Sequence, residues 1–290
     1  MCHMSAPEIF QLREDDGHSY VLFEEVPPGL EDAAEFYSFD GALRGRDRLQ
    51  SLTAGNAVVG VCGPQFKCPP APSEAAILLD EHLRDRGLRD ATTITLVMPF
   101  GAPIPPSPET SEALLQRFAG GDIRFVAQRR VTSYDGAAAT VTLDDGSDLP
   151  SDLFLAIPVH RVPAVVEASG MTEDGWIPVD RGTLATRFPG VYAVGDVTSV
   201  GTAKAGVFAE GAARVVADEL IAQIRGSDPP APYDGTAACY VEWGDDLVGR
   251  VDVDFFSGPS PTGTFSEPSA ALTAEKAEFG ASRRARWFAA

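Results

Sequence analysis

The chain has 290 residues, 44% of them apolar, and a formal net charge of −19. That is enough apolar material for one large or two ordinary cores, and so acidic a balance argues against nucleic acid or an anionic membrane as the main partner. No run approaches about 18 apolar residues, and Met1 to Ser5 show no basic segment followed by an apolar one. The expectation is therefore a cytoplasmic protein with neither a spanning helix nor a signal peptide.

From the N-terminus, His18 to Phe23 reads as a strand, broken by Pro27-Pro28-Gly29-Leu30 before a helix that ends near Leu52. Asn56 to Cys62 is an unbroken apolar run, as in a strand buried on both faces. Gly63 to Pro72 is then a loop, and Ser73 to Arg86 a helix stopped by Gly87. Thr92 to Val97 is the next strand, Pro99 to Pro108 a proline-rich loop, Glu109 to Phe118 a helix and Ile123 to Ala127 a strand. Arg129 to Leu149 holds a pair of short strands turned at Tyr134-Asp-Gly136 and Asp144-Asp-Gly146.

Leu153 to Ile157 returns as a buried strand, and Ile177 to Asp180, Val191 to Val194 and the helix Gly206 to Ile224 predict a second sheet layer. Ser227 to Pro232 is a linker, Thr236 to Phe256 alternates like a hairpin, and a polar loop runs to Pro268 before a helix from Ala270 to Trp287. Strands alternating with helices predict an α/β fold with a parallel sheet.

Two segments carry chemistry. Val191-Tyr-Ala-Val-Gly-Asp196 is an apolar run ending at Gly195 and Asp196, and a glycine-flanked loop through Thr202, Lys204 and Ala205 then opens a helix at Gly206. Glycine admits a close ligand, the aspartate can accept hydrogen bonds from sugar hydroxyls, and a helix start presents backbone N–H groups. Spacing alone fits an ordinary strand-loop-helix crossover equally well.

The second segment is Gly63-Pro-Gln-Phe-Lys-Cys-Pro-Pro-Ala-Pro-Ser-Glu74. It stands after a strand and before a helix, where a nucleotide-binding domain would carry G-x-G-x-x-G, a motif found nowhere in the chain. Its four prolines remove backbone donors, so it is ill suited to cradling a pyrophosphate. Cys68 lies beside Lys67 and close to a helix start, both of which favour a thiolate; the plainer reading is an inert cysteine in a turn. Glu74, in the first turn, either complements the helix dipole or handles a proton beside Cys68. The four cysteines (Cys2, Cys62, Cys68, Cys239) contain no C-x-x-C and the four histidines no H-x-x-x-H, so no metal site is expected. Of the three lysines, Lys67 and Lys204 lie in these segments and Lys276 in the terminal helix.

Thr186-Arg-Phe-Pro-Gly-Val-Tyr-Ala-Val-Gly-Asp196 with the Ala203-Lys-Ala-Gly206 that follows resembles the second flavin-contacting motif of the glutathione-reductase-like flavoproteins. Lys67-Cys-Pro-Pro-Ala-Pro-Ser-Glu-Ala-Ala76 is similar, more narrowly, to the cysteine loop of sulfide:quinone oxidoreductases and of the flavin subunit of flavocytochrome c sulfide dehydrogenase. Pro232-Tyr-Asp-Gly-Thr-Ala-Ala-Cys239 fits that group's second redox cysteine.

The resemblance implies FAD as cofactor, held by Gly195, Asp196, Thr202, Lys204, Ala205 and Gly206. Asp196 would hold the ribityl chain, and Lys204 would compensate the charge of the reduced flavin. Cys68 and Cys239 would face each other across the flavin, with Glu74 beside them. Sulfide or another small sulfur compound would open a disulfide or polysulfide bridge between the two cysteines, and two electrons would pass through Cys239 to FAD. Quinone or a redox protein would be the acceptor.

The implied architecture is two dinucleotide-binding-like domains, the first incomplete, plus a small C-terminal α+β interface domain. Its segments are a remnant of the FAD domain (1–52), an NAD-binding-like domain with the cysteine loop (53–160), the second part of the FAD domain (161–226) and the interface domain (227–290).

The chain departs from that pattern in two places. The N-terminal G-x-G-x-x-G unit that would bind the ADP half of FAD is missing, so the chain reads as N-terminally shortened. A third cysteine known in the quinone-linked members is absent between Glu35 and Arg44, where Ser38 lies near its place. The rival readings are a non-enzymatic, degenerate module that binds or carries sulfur, and an NAD(P)H-linked flavoprotein reductase. The terminal helix, with Phe279, Trp287, Arg283, Arg284 and Arg286, either caps its domain, lines an acceptor pocket or rests on a membrane surface.

Overall fold

A computed structural model describes Phe10–Leu12, Ser19–Val21 and residues 33–288. Cys2 and the Pro27 to Leu30 break lie outside these residues. The chain divides into two units, one of residues 1–26 and 160–233, the other of residues 27–159 and 234–290.

The second unit is built on a five-stranded parallel sheet in the order β3-β10-β4-β5-β6. Its strands are β3 (Ala34–Glu35), β4 (Gly55–Val61), β5 (Thr92–Val97), β6 (Ile123–Val126) and β10 (Leu153–Ile157). Helices α1 (Phe39–Ser51), α2 (Ala71–Asp85) and α3 (Pro108–Gly120) connect them. Ser38 and Ser107 start α1 and α3 by accepting the N–H groups of Gly41 and Thr110, which satisfies donors that the helices cannot.

Every residue of β10 is buried, as is β4 from Ala57 onward, because the sheet is covered on both sides. One cover is a meander of β7 (Val131–Asp135), β8 (Thr140–Leu143) and β9 (Asp148–Pro150), three strands where the sequence predicts a pair. Its Val131, Tyr134, Val141 and Leu143 pack on Val58, Val97 and Phe154. At Gly60 the approach is so close that an added Cβ would lie 2.7 Å from Val131 Cγ2. Asp80 of α2, 2% exposed, is gripped by Arg84, Arg89 and Arg117, which ties α2 to α3 and to the turn before β5.

A second sheet, β11-β12-β13, packs its β11 (Thr236–Gly244) on α2 and its β12 (Leu247–Asp254) on α6 (Ala270–Phe288). The polar loop expected up to Pro268 is instead strand β13 (Thr262–Ser269). Phe265 anchors it 5.7 Å from Trp243, and Pro268 is tolerated because β13 is an edge strand whose register shifts near that residue.

The first unit contains the antiparallel pair β1 (Phe10–Leu12) and β2 (Ser19–Val21), the short helix α4 (Ala164–Ala168) and the long helix α5 (Gly206–Arg225). The second sheet layer expected from Ile177 to Asp180 and Val191 to Val194 does not form among the described residues. Those segments make only single bridges, Ile177 with Thr198 and Ala185 with Tyr192. Pro178 lacks an N–H, and Asp180 turns the chain by accepting the N–H groups of Gly182 and Thr183, so neither segment has a ladder to join.

Candidate functional site

The cysteine site lies in the second unit, where the loop between β4 and α2 meets strand β11. Tyr37, just before α1, donates its hydroxyl to the Lys67 carbonyl at 3.0 Å, and the next residue, Cys68, adopts a left-handed backbone with φ of 57°. A non-glycine residue in that region costs on the order of 1–3 kcal/mol and persists only where its surroundings hold it. The Cys68 carbonyl accepts the Ala71 N–H at 2.8 Å, which closes the turn into α2.

Glu74, in the first turn of α2, receives the backbone N–H of Glu242 on its Oε1 at 2.8 Å. Glu242 lies on β11 three residues beyond Cys239, so this bond ties the two cysteine-bearing segments together. Lys276 of α6 ion-pairs with the Glu242 carboxylate, and its Nζ lies 3.8 Å from Glu74 Oε1. Glu35, Glu74, His82, Glu242 and Lys276 all line one largely apolar cleft of about 660 Å³.

Cys68 and Cys239 are free thiols, close enough that the charge of Cys239 acts on Cys68. One side of Cys68 meets solvent, yet the protein packed around the rest pushes its thiol up to about 12, and the charges of Glu74 and Cys239 add to the effect. The Ala71 N–H and Lys276 pull the other way. Cys239, half-buried, is pushed up to about 11 by burial, then by Glu74 and Asp252. Burial also raises the Glu74 carboxyl, against the Glu242 N–H and Lys276. The expectation of a thiolate favoured by Lys67 and the helix start is thus reversed: desolvation and a neighbouring carboxylate keep both thiols protonated at neutral pH.

Sequence reasoning missed Tyr37, Glu242 and Lys276. Only Lys276 left a signal, as one of three lysines in so acidic a chain. The terminal helix rests on β11 and β12 by Tyr240 against Phe279 and by Arg250 with Glu275, while Arg283 stacks 3.4 Å from the Phe279 ring and Trp287 and Phe288 stay exposed. No helix among the described residues is long and apolar enough to cross a membrane, and no metal-sized cluster of His, Cys, Asp and Glu occurs among them.

The first unit carries the other set of residues. Gly195, Asp196, Thr202, Lys204 and Ala205 line one small cleft with Phe208 and Tyr233. Gly195 has φ of +76°, and a Cβ there would lie 3.0 Å from that of Ala209, so the position demands glycine. Asp196 falls in a short 3₁₀ turn, Gly195–Val197, rather than at a strand end, and its carboxylate makes no hydrogen bond among the described residues. Helix α5 begins at Gly206 with no side-chain cap on Ala205, leaving backbone donors for a ligand.

A free carboxylate beside an uncapped helix start fits the sugar and polar-ring groups of a flavin. Lys204 is placed differently from the expected charge compensator. Its Nζ donates to the carbonyls of Asp196 at 2.8 Å and Thr198 at 3.0 Å and lies 3.4 Å from the centre of the Trp176 ring, so it staples the turn.

Residues 74–214 match the pyridine nucleotide-disulphide oxidoreductase family. By sequence and fold the chain is similar to sulfide:quinone oxidoreductases. It is 25% identical over 201 residues to the mitochondrial sulfide:quinone oxidoreductase of Schizosaccharomyces pombe, an alignment covering 66% of this chain and 43% of that protein. Its fold is similar to that of the sulfide:quinone oxidoreductase of Aquifex aeolicus, with a TM-score of 0.73 at 19% identity over 93% of this chain and 70% of the other. A ferredoxin reductase from Rhodopseudomonas palustris matches with a TM-score of 0.54 at 22% identity, over 86% and 62% of the respective chains.

Proposed function

We propose that the protein is an FAD-dependent oxidoreductase that oxidises sulfide or another small sulfur compound through Cys68 and Cys239, with a quinone or a redox protein as acceptor. The observation that carries this reading is that two free cysteines, remote in sequence, both lie within electrostatic reach of one part-buried carboxylate, Glu74, in a chain similar to two sulfide:quinone oxidoreductases. FAD, when bound, would supply a two-electron acceptor. Asp196, the α5 start at Ala205 and Gly206, and the backbone of Gly195 and Thr202 would hold it, while Lys204 keeps their turn in shape.

In this reading Cys68, at the solvent edge, meets the sulfur substrate, and Cys239 is its resolving partner. The raised thiol pKa values mean that neither cysteine is a standing thiolate. A proton must leave before sulfur attacks sulfur, and Glu74, whose charge acts on both, is placed to take it. Pro70 and Pro72 at the start of α2 offer no N–H to a pyrophosphate, which disfavours nicotinamide as the electron donor.

The test is to incubate the protein with sulfide after mild oxidation and to map modified peptides. Persulfide or polysulfide on Cys68 and Cys239, together with sulfide-dependent bleaching of bound flavin, supports the reading. Persulfide on a colourless protein points to a sulfur-carrying module, and bleaching by NADH or NADPH that survives Cys68→Ser sinks the sulfur assignment.

A further inference from the structure

The largely apolar cleft beside the cysteines contains an arrangement that the cysteine chemistry alone does not explain. Its walls are mostly apolar, from Phe36, Leu49, Leu78, Leu79 and Leu155, yet Glu74, Glu242 and Lys276 converge in it from three elements, α2, β11 and α6. Two carboxylates brought together in an apolar wall repel each other and cannot both be comfortably ionised without a cation between them. Lys276 is that cation, paired with Glu242 and 3.8 Å from Glu74 Oε1, and its side chain is about one-third exposed. The Glu242 N–H on Glu74 fixes the geometry.

We propose that Lys276 is a positioning residue for the cysteine pair: it locks Glu74 and Glu242 into one ammonium–dicarboxylate cluster and thereby keeps Glu74 ionised as the proton acceptor of the thiols, with the cleft as the proton's exit. This rests on the reading of Cys68 and Cys239 as the reacting sulfurs. The step is a proton transfer only. The S–H bond of a cysteine breaks, an O–H bond forms on Glu74, and the carboxylate is restored when the proton passes to water in the cleft.

The groups bearing on Glu74 come from every neighbouring element. Cys68 lies on the preceding loop, Tyr37 and Glu35 before α1, Cys239 and Glu242 on β11 and Lys276 on α6, while Arg46 and His82 line the same cleft. Among these, Lys276 and the Glu242 N–H are the ones that favour the charged carboxylate directly.

The experiment is a pH titration of carboxyl carbon resonances in the full chain labelled at glutamate, with the Glu74 signal assigned by its loss in Glu74→Gln. In Lys276→Met the Glu74 midpoint should rise by about one pH unit, a roughly tenfold gain in proton affinity, and Lys276→Arg should restore most of the wild-type value. In Glu242→Gln, where Lys276 has one carboxylate left to serve, the Glu74 midpoint should fall. An unchanged midpoint in folded Lys276→Met overturns the proposal. If that variant does not fold, an unchanged or raised midpoint in Glu242→Gln overturns it instead. The titration needs neither sulfide nor flavin, so its failure is separate from failure of Cys68 to take up sulfur, which would sink the functional reading and leave the cluster standing.

Discussion

Glu242 donates its backbone N–H to the carboxylate of Glu74 at 2.8 Å, so the strand bearing Cys239 and the helix that follows Cys68 share one part-buried hydrogen bond. A charge-assisted bond of this kind contributes on the order of 1.5–3 kcal/mol, and it aligns the two sulfur-bearing segments with the group that acts on both.

Burial of the two thiols, reinforced by that shared carboxylate, makes their reactivity unusual in its pH dependence. With Cys68 near 12 and Cys239 near 11, alkylation by iodoacetamide should climb through pH 9 and 10 without levelling, at rates roughly a hundredfold or more below those of an ordinary thiol at pH 8. Glu74→Gln removes a negative charge from both sites and should speed both reactions. A rate plateau below pH 9 contradicts the assignment.

The same shifts carry a stability signature. An unfolded thiol ionises near 8.5 whereas the folded ones do so near 11 and 12, so their contribution is intact below about pH 8.5 and is lost as pH rises through the folded values. Urea midpoints should therefore fall between pH 9 and 11, and should fall less in the Cys68→Ser, Cys239→Ser double variant.

Asp80 is sensitive at the other end of the scale. Burial by itself would raise its carboxyl, but the hydrogen bonds from Arg117 and Arg89, with the charges of Arg117 and Arg84, outweigh burial and hold it below the usual range. Its contribution is present above pH 4 and is lost as pH falls through the lowered value. Asp80→Asn leaves three arginines facing a neutral group and should cost about 3 kcal/mol in denaturant unfolding at pH 7. A loss below about 1 kcal/mol would mean that the arginines find other partners.

Lys204→Met tests the staple. The carbonyls of Asp196 and Thr198 lose their donor, at a cost of about 1–3 kcal/mol, and amide exchange should quicken across residues 195–206 while β4 and β5 stay protected. Asp196→Ala should leave exchange unchanged but weaken FAD binding about tenfold or more by fluorescence titration, because it removes a free acceptor rather than a support.

The legible parts of this chain were those whose physics is local or one-dimensional. Strands β4, β5 and β10 show as apolar runs because both their faces are covered, and α2 shows by its length and the glycine at its end. Ile177 to Asp180 and Val191 to Val194 look equally strand-like, but a strand is completed by its neighbour, and that pairing has no local signature. Strand β13 was hidden for the converse reason, its glycine, serine and proline being acceptable only at a sheet edge. Cys68, Glu74 and Cys239 stood out through motif likeness, whereas Lys276 and Tyr37 reach the site from far along the chain, and only folding brings them there.

The left-handed turn at Cys68 sets chemistry against durability. Glycine is the residue that this backbone position prefers, so Cys68→Gly should melt above Cys68→Ser. The side chain at Cys68 is a standing backbone penalty, carried by the turn that the Tyr37 and Ala71 hydrogen bonds close around it.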